Sequence, residues 1–202
     1  MLYVEDFIQQ FSSAFLPSSS LQPWEVVDNL EALLQQKMET LGDEYLFSEG
    51  RAIHKTAIIE PGVCLKGKMI LAENCFVGAH AYLRGPLYVG KGVTIGPGCE
   101  IKQSLLFEKT SVAHFNYIGN SLIGQGVNFE AGAVCANHYN ERQDKTIVVL
   151  YRDQYLKTNS QKFGSLVGDY SKLGANAVLS PGTLLEKHSV VKRLELIEQV
   201  KV

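Results

Sequence analysis

The chain has 202 residues, of which 46% are hydrophobic and 20% charged, and its formal net charge is −2. This apolar content is enough for one domain with a full core and excludes a disordered chain. Five of the 21 acidic residues but none of the 19 basic ones lie within 1–36, which leaves the rest a net +3. That bias is too weak to predict nucleic-acid binding.

The first basic residue is Lys37, and no apolar run reaches 18 residues. A secretory signal needs a basic region before its apolar run, and a membrane span needs about 18 or more apolar residues. We therefore expect a cytoplasmic protein that does not span a membrane.

Residues 1–50 carry helical signals. Apolar residues recur at helical spacing from Val27 to Met38, after Pro23, which can open a helix, and before Gly42, which can end it. A shorter helix is expected around 3–14. We interpret 1–50 as a helical cap or connector that covers the open end of the next domain and takes no part in chemistry.

A six-residue repeat begins at residue 53, and every sixth position holds a large apolar residue. This period fits neither an amphipathic helix nor an alternating strand, and it is typical of a parallel β-helix, whose stacked coils share one core. The first ten positions of the repeat are Ile53, Ile59, Leu65, Leu71, Val77, Leu83, Val89, Ile95, Ile101 and Phe107.

The repeat then slips once, resumes at Tyr117 and, after an interruption, runs to Val191. At three hexads per coil, it predicts about six coils over 51–191, followed by a C-terminal tail at 192–202. The expected fold class is therefore all-β, a parallel β-helix of hexapeptide repeats.

The interruption covers about 136–162. It begins with polar and charged residues and continues as TIVVLYRDQYLKT, in which apolar runs flank Arg152 and Asp153. Two such runs around a polar turn predict a projecting β-hairpin or arm.

The four cysteines are Cys64, Cys75, Cys99 and Cys135, and their spacings fit no zinc pattern. A cytosolic setting disfavours disulfides, so all four are expected to be small core residues.

Three basic residues, Lys66, Arg84 and Lys102, are spaced 18 residues apart. In a β-helix with 18-residue coils they would stack on neighbouring strands about 4.8 Å apart and project outward. At this distance like charges repel by about 3 kcal/mol if the effective dielectric constant is about 20. Two interpretations stay open: a solvated basic edge, or a site where a phosphate turns this repulsion into charge-assisted hydrogen bonds.

His114 lies where the repeat slips, twelve residues after Lys102. Irregular strand structure is common beside active sites, so we interpret His114 as a candidate general base. Residues that can bind the hydroxyl groups of a sugar surround it in sequence: Asn116, Tyr117, Asn120, Asn128 and Asn137.

The segment AHFNYIGNSLIGQGVNFEAGAVCANHYNERQDKT (113–146) resembles the acetyltransferase domain of bifunctional sugar-1-phosphate nucleotidylyltransferase/acetyltransferases. The segments KFGSLVGDYSKLGANAVLSPGT and PWEVVDNLEALL are similar to the archaeal-type branch of that family. The resemblance implies a free-standing, left-handed β-helix that assembles as a homotrimer and acts in the synthesis of UDP-N-acetylglucosamine.

The resemblance also implies roles for single residues. The catalytic His of the H-x-x-Y-x-G motif falls on His114. The substrate-binding residues fall on Arg84, Lys102, Tyr117 and Asn128. The family's substrate-contacting Lys falls on Gln143, for which Arg142 and Lys145 are the two candidate stand-ins. The positions implied for acetyl-CoA are Ala131, Asn137 and Asp169. Three residues depart from the family pattern: Glu130, Gln143 and Asp169.

The leading hypothesis is thus an enzyme that transfers acetyl from acetyl-CoA to the amine of a hexosamine 1-phosphate, with glucosamine 1-phosphate as the first acceptor to consider. No metal is expected to take part. Imidazole titrates near neutral pH, so a His can accept the proton of an amine as it attacks the thioester.

Two other classes of β-helix protein are alternatives. The γ-type carbonic anhydrases share the β-helix, but they need a His-x4-His pair, and Gly119 stands five residues after His114. A non-catalytic trimeric scaffold or sugar-nucleotide sensor is the alternative that the departures from the family pattern leave open.

The arm supports the expectation of an assembly. Its apolar sequence predicts that Val148, Leu150 or Tyr155 is buried against another subunit. Cyclic symmetry closes such contacts, and the three-fold symmetry is what the resemblance implies.

Overall fold

The computed structural model describes residues 2–15 and 21–201 as a parallel β-helix with short helices packed along one side. Short strands follow one another around three flat faces, and each strand hydrogen-bonds to the equivalent strand of the next coil. The predicted β-helix is therefore confirmed. Among the described residues, none of the helices has both the length and the apolar character that crossing a bilayer requires.

We call the three faces the site face, the covered face and the open face. The site face consists of β4 (Cys64–Lys66), the first halves of β7 (Tyr82–Val89) and β9 (Glu100–Leu106), β11 (Tyr117–Gly119), β14 (Val134–Cys135), β19 (Val178–Leu179) and β22 (Leu196–Ile197). The covered face consists of β2 (Arg51–His54), β5 (Met69–Leu71), the second halves of β7 and β9, β12 (Leu122–Ile123), β17 (Ser165–Val167) and β20 (Thr183–Leu185). The open face consists of β3 (Ile58–Ile59), β6 (Phe76–Val77), β8 (Thr94–Ile95), β10 (Ser111–Val112), β13 (Asn128–Phe129), β18 (Lys172–Leu173) and β21 (Val190–Val191).

Each face has seven strands, one more than the predicted six coils. The predicted number of coils is too low for two reasons. Val112 fills an inward position within the predicted slip, and the last coil extends to Ile197. The predicted tail at 192–202 is therefore wrong in its first half, since β22 pairs in register with β19.

The slip arises at the corner between the site face and the covered face. In the second coil this corner has two residues, Gly85 and Pro86, because Arg84 pairs with Lys102 while Leu87 pairs with Ser104. The next coil turns the same corner with the single residue Gln103. Its φ of 43° lies in the left-handed region, and Asn120, one coil further on, has a φ of 49°.

Two coils are consequently 17 residues long instead of 18, and the inward positions shift. Leu106 and Ile118 point into the core, where the repeat predicted Phe107 and Tyr117. Phe107 is buried outside the prism instead, against the helices.

The helices lie along the covered face and not over the end of the first coil, so the predicted cap is wrong. They are α1 (Val4–Phe7), α2 (Phe11–Ala14), α3 (Pro23–Asp28) and α4 (Leu30–Met38). Their apolar side chains pack on outward residues of several coils, from Ala52 in the first to Leu184 in the last. Burying this second apolar layer attaches residues 2–15 and 21–38 to the whole length of the prism. Strand β1 (Tyr45–Ser48) then pairs antiparallel with β2.

The predicted hairpin is present as β15 (Val148–Tyr151) and β16 (Gln154–Lys157), and Arg152 and Asp153 both have positive φ in its turn. It packs on its own chain, because Ile147 and Val149 are fully buried in the layer that includes the helices.

Three of the four cysteines are buried as predicted, namely Cys75, Cys99 and Cys135. The prediction is wrong for Cys64, which lies on the outward side of the first coil and is exposed.

Replacing Phe107 by Ala tests the second apolar layer. The Phe107 ring lies 6.2 Å from the rings of Phe11 and Phe15 and 6.0 Å from that of Tyr88. We expect Phe107→Ala to lower the free energy of unfolding by about 3–5 kcal/mol in urea titrations. Phe115→Ala is the control, since that ring is 73% exposed and its loss should change stability by at most about 0.5 kcal/mol. Equal effects of the two substitutions would contradict the packing.

Candidate functional site

The candidate site lies on the site face, at the corner from which the arm leaves the prism. Lys66, Arg84 and Lys102 end three successive strands of this face and pair directly with one another in the sheet. The predicted stack of basic residues is therefore confirmed, and we call it the basic ladder. The arm is inserted at this corner between β14 and β17, and its returning end brings Lys162 close to Lys102.

Glu100 is part of this site, although the sequence reasoning missed it. Its Oε1 accepts a hydrogen bond from Arg84 Nη1 at 2.6 Å, and this contact raises the pKa of the guanidinium. The signal was available, because Glu100 stands two residues before Lys102 and therefore shares its outward side. The carboxylate neutralises one rung of the ladder when no ligand is bound.

Lys102 is half-buried, and its pKa is lowered first by burial and then by the positive charges of Lys162 and Arg84. Lys162 comes from the returning end of the arm, and no motif singled it out in the sequence. A bound anion would relieve both the desolvation and the like-charge repulsion, which is the electrostatic property expected of a phosphate site.

Tyr117 and Asn137 stand together above the ladder. Both side chains approach Gly119, and Asn137 Nδ2 donates a hydrogen bond to Asn120 Oδ1 at 2.6 Å. Burial and the nearby charge of Glu100 raise the pKa of the Tyr117 hydroxyl, so it remains a neutral donor. Asn137 is buried, and its bond to Asn120 fixes the amide beside this hydroxyl.

Gly119 forms the floor beneath these two side chains. A Cβ at this position would lie 2.6 Å from the Tyr117 hydroxyl and 2.9 Å from the Asn137 amide. Glycine is therefore required for this close approach.

His114 lies at the corner between the open face and the site face, just before β11, and its side chain is exposed. Buried Asn116 braces this corner: its Nδ2 donates to the His114 carbonyl at 3.2 Å, and its Oδ1 accepts from Ala133 N at 2.8 Å. Ala131 occupies the same corner in the next coil, since Gly132 N donates to the His114 carbonyl at 2.9 Å.

Asn128 is not beside the ladder, because it lies on the open face. There it lines a groove of about 490 Å³ together with Glu130 and Arg193. Glu130 accepts two hydrogen bonds from the Arg193 guanidinium, at 2.5 and 2.7 Å, and one from Ala175 N. This departure from the family pattern ties three successive coils together, and Arg193 lowers the pKa of the carboxyl.

Lys145 lies half-buried in the arm, between β14 and the hairpin, so the chain places it near the same corner without setting it in the ladder. Within the same segment, the Arg142 guanidinium stacks 3.3 Å from the ring centroid of Tyr139.

Asp169 lies at the third corner, between the covered and open faces, and is 1% exposed. Its carboxylate accepts hydrogen bonds from the backbone amides of Gln9 at 3.0 Å and Gln125 at 2.9 Å. A buried carboxylate with both oxygens occupied offers no surface to a cofactor. Asp169 therefore anchors the N-terminal segment. Its predicted contact with acetyl-CoA is wrong, and we do not include it in the proposed site.

Within the two described ranges, no group of three or more His, Cys, Asp or Glu side chains is placed to hold a metal ion.

Asp169→Ala tests the anchoring role. The substitution removes the acceptor of two part-buried backbone hydrogen bonds, so we expect the free energy of unfolding to fall by about 1–3 kcal/mol while CoA affinity is unchanged. Asp43→Ala is the control, because Asp43 is exposed, and it should change stability by at most about 0.5 kcal/mol. A loss of CoA binding by folded Asp169→Ala protein would restore the cofactor role.

A family model described as the GMPPB C-terminal domain matches residues 66–150. Over 181 residues the chain is 29% identical to the bifunctional sugar-1-phosphate nucleotidylyltransferase/acetyltransferase of Sulfurisphaera tokodaii, a match covering 80% of this chain and 41% of that one. It is 38% identical over 98 residues to the bifunctional protein GlmU of Clostridium novyi, which covers 46% of this chain and 22% of that one.

Among solved structures, a mutant of perosamine N-acetyltransferase from Caulobacter crescentus, in complex with CoA and GDP-perosamine, superposes with a TM-score of 0.40 and 15% identity. That match covers 82% of this chain and 60% of the other. The chain spans less than half the length of the curated relatives it matches. Over most of its length, the chain is thus similar to a bifunctional sugar-1-phosphate nucleotidylyltransferase/acetyltransferase, the resemblance that its motifs predicted.

Proposed function

We propose that this chain is an N-acetyltransferase that moves the acetyl group of acetyl-CoA to the amine of a hexosamine bearing phosphate at C1. Glucosamine 1-phosphate is the simplest such acceptor, which would place the reaction in the synthesis of UDP-N-acetylglucosamine-type sugar nucleotides. The observation that carries the proposal is the basic ladder, set beside the Tyr117–Asn137 pair and one corner from His114. A cytoplasmic location, where acetyl-CoA is available, belongs to the same proposal.

The ladder would hold the phosphate of the acceptor. Arg84 and Lys102 lie on neighbouring strands, so both can donate to one phosphate through charge-assisted hydrogen bonds. Fixing the phosphate also fixes the sugar ring, which removes part of the entropic cost of bringing the amine to the thioester. The Tyr117 hydroxyl, which lies beside the buried Asn137 amide, would orient the sugar.

His114 would act as the general base. The amine attacks the thioester carbonyl, a C–N bond forms, the C–S bond breaks, and the amine proton passes to the imidazole, which then protonates the CoA thiolate. The side chain is exposed at its corner while buried Asn116 holds the backbone beneath it. Backbone amides at the neighbouring Ala131 are proposed to bind the acyl donor, where they can stabilise the developing oxyanion.

Asn137 enters the proposal in a different role from the one implied by the resemblance. Its hydrogen bond to Asn120 and its position beside Tyr117 support a role on the sugar side of the site. Its contact with acetyl-CoA stays a prediction.

A homotrimer completes the proposal. In one chain a prism corner separates the ladder from Asn128, and the covered face is occupied by the chain's own helices. A second wall for the site therefore has to come from a neighbouring copy, packed against the site face or the open face. The arm still offers an outward side to such a copy, since Tyr155 is 65% exposed and pairs with Leu150 across the hairpin.

His114→Ala tests the catalytic step. With acetyl-CoA and glucosamine 1-phosphate, we expect the rate of thiol release to fall about 10²–10⁴-fold, because general base catalysis contributes about that much. His188→Ala is the matched control, since this exposed His stacks on Tyr170 at a different corner. Equal rates for wild type and His114→Ala would remove His114 from the mechanism. A wild-type protein that binds no CoA would favour the non-catalytic scaffold.

Light scattering tests the assembly. At micromolar concentration we expect a mass three times the 22.3 kDa of the chain. A monomer mass would contradict the proposal, because the site would then lack its second wall.

A further inference from the structure

The basic ladder has a third rung, Lys66, which the proposed function does not use. Lys66 pairs with Arg84 in the sheet as Arg84 pairs with Lys102. Neighbouring strands are about 4.8 Å apart, so the cations of the outer two rungs belong to strands about 10 Å apart.

Tyr82 holds the first two rungs in place. Its ring centroid lies 5.0 Å from Lys66 Nζ and 5.6 Å from the Arg84 guanidinium carbon. Cation–π attraction therefore draws both positive groups to one aromatic ring and offsets their mutual repulsion. The exposed Lys66 side chain thus lies along the ladder, with its ammonium over the Tyr82 ring.

The ladder carries an excess of positive charge. In the described part of the chain, Arg84 forms an ion pair with Glu100, while neither Lys66 nor Lys102 is paired with a carboxylate. Lys162 adds a further cation beside Lys102. Four cations thus face one carboxylate.

Two other lysines of the first coils are paired with carboxylates. Lys68 lies 3.7 Å from Glu31, and Lys91 lies 2.7 Å from Glu73.

We propose that the ladder holds two phosphoryl groups in series, so that the acceptor is an amino sugar joined through C1 to a diphosphate, as in a nucleoside diphosphate sugar. This rests on the proposed function and narrows its substrate class. With hydrogen bonds of about 2.8 Å, one phosphate reaches two rungs about 4.8 Å apart, but it does not span cations on strands about 10 Å apart.

The order of groups along the ladder follows from the coils. The sugar lies by Tyr117 and Gly119, the first phosphate lies between Lys102 and Arg84, and the second lies between Arg84 and Lys66. The remainder of the ligand then continues toward the first coil.

Calorimetry with inorganic phosphate and with pyrophosphate tests the ladder without any reaction. We expect wild type to bind pyrophosphate at least tenfold more tightly than phosphate. Lys66→Ala should weaken pyrophosphate binding about tenfold and leave phosphate binding within twofold. Lys55→Ala is the control, because it removes the same charge from an exposed site at another corner of the first coil. Pyrophosphate affinity equal to that of phosphate, or equal losses in the two variants, would overturn the proposal.

Thiol release gives the second readout. With acetyl-CoA, we expect kcat/KM for UDP-glucosamine to exceed that for glucosamine 1-phosphate at least tenfold, and Lys66→Ala to remove most of this preference. A preference for glucosamine 1-phosphate would overturn the diphosphate proposal while leaving the proposed function intact. No release from either acceptor would overturn the proposed function, whereas the calorimetry tests the ladder by itself.

Discussion

Each coil of the prism hydrogen-bonds in register to the next, so residues 18 positions apart, or 17 where a corner is shortened, stand side by side on neighbouring strands. Because of this register, residues at equivalent positions of successive coils line up along one edge of the prism. Three cations meet in this way at one corner, Lys66, Arg84 and Lys102. The same stacking places Ala131 beside His114. The shape of the candidate site is thus a direct consequence of the repeat.

The prism also needs an apolar layer outside its core. Outward side chains on the covered face, such as Phe107 and Leu184, are buried by the N-terminal helices and the base of the hairpin. Asp169 fastens this layer by accepting backbone hydrogen bonds from Gln9 and Gln125. One face is thereby closed within the chain, and the other two remain for ligands and neighbours.

Sequence reasoning predicts best what the repeat controls. It gives the β-helix, the ladder and the position of the hairpin, because each depends on a local period or turn. It wrongly predicts that Phe107 and Tyr117 point into the core. The error arises because the corner at Gln103 is one residue shorter than in the preceding coil, and the sequence pattern alone does not show this shortening.

The remaining misses depend on contacts between distant segments. Lys162 reaches Lys102 only because the arm returns to the corner from which it left. The helices pack on the covered face because its outward side chains are apolar along the whole length of the prism. The six-residue repeat identifies only the inward positions, so it does not predict this second apolar layer. The acetyl-CoA role of Asp169 was implied only by its correspondence to a family position. The folded chain buries its carboxylate beneath the N-terminal segment, which the sequence pattern does not predict.

The central claim is that the ladder holds a phosphate and so brings an acceptor amine to His114. A crystal structure of the protein with CoA and glucosamine 1-phosphate tests it most directly. The account predicts the phosphate within hydrogen-bonding distance of Arg84 and Lys102, with the amine facing the imidazole of His114. A phosphate bound in the open-face groove, on Lys172 and Arg193, would contradict it.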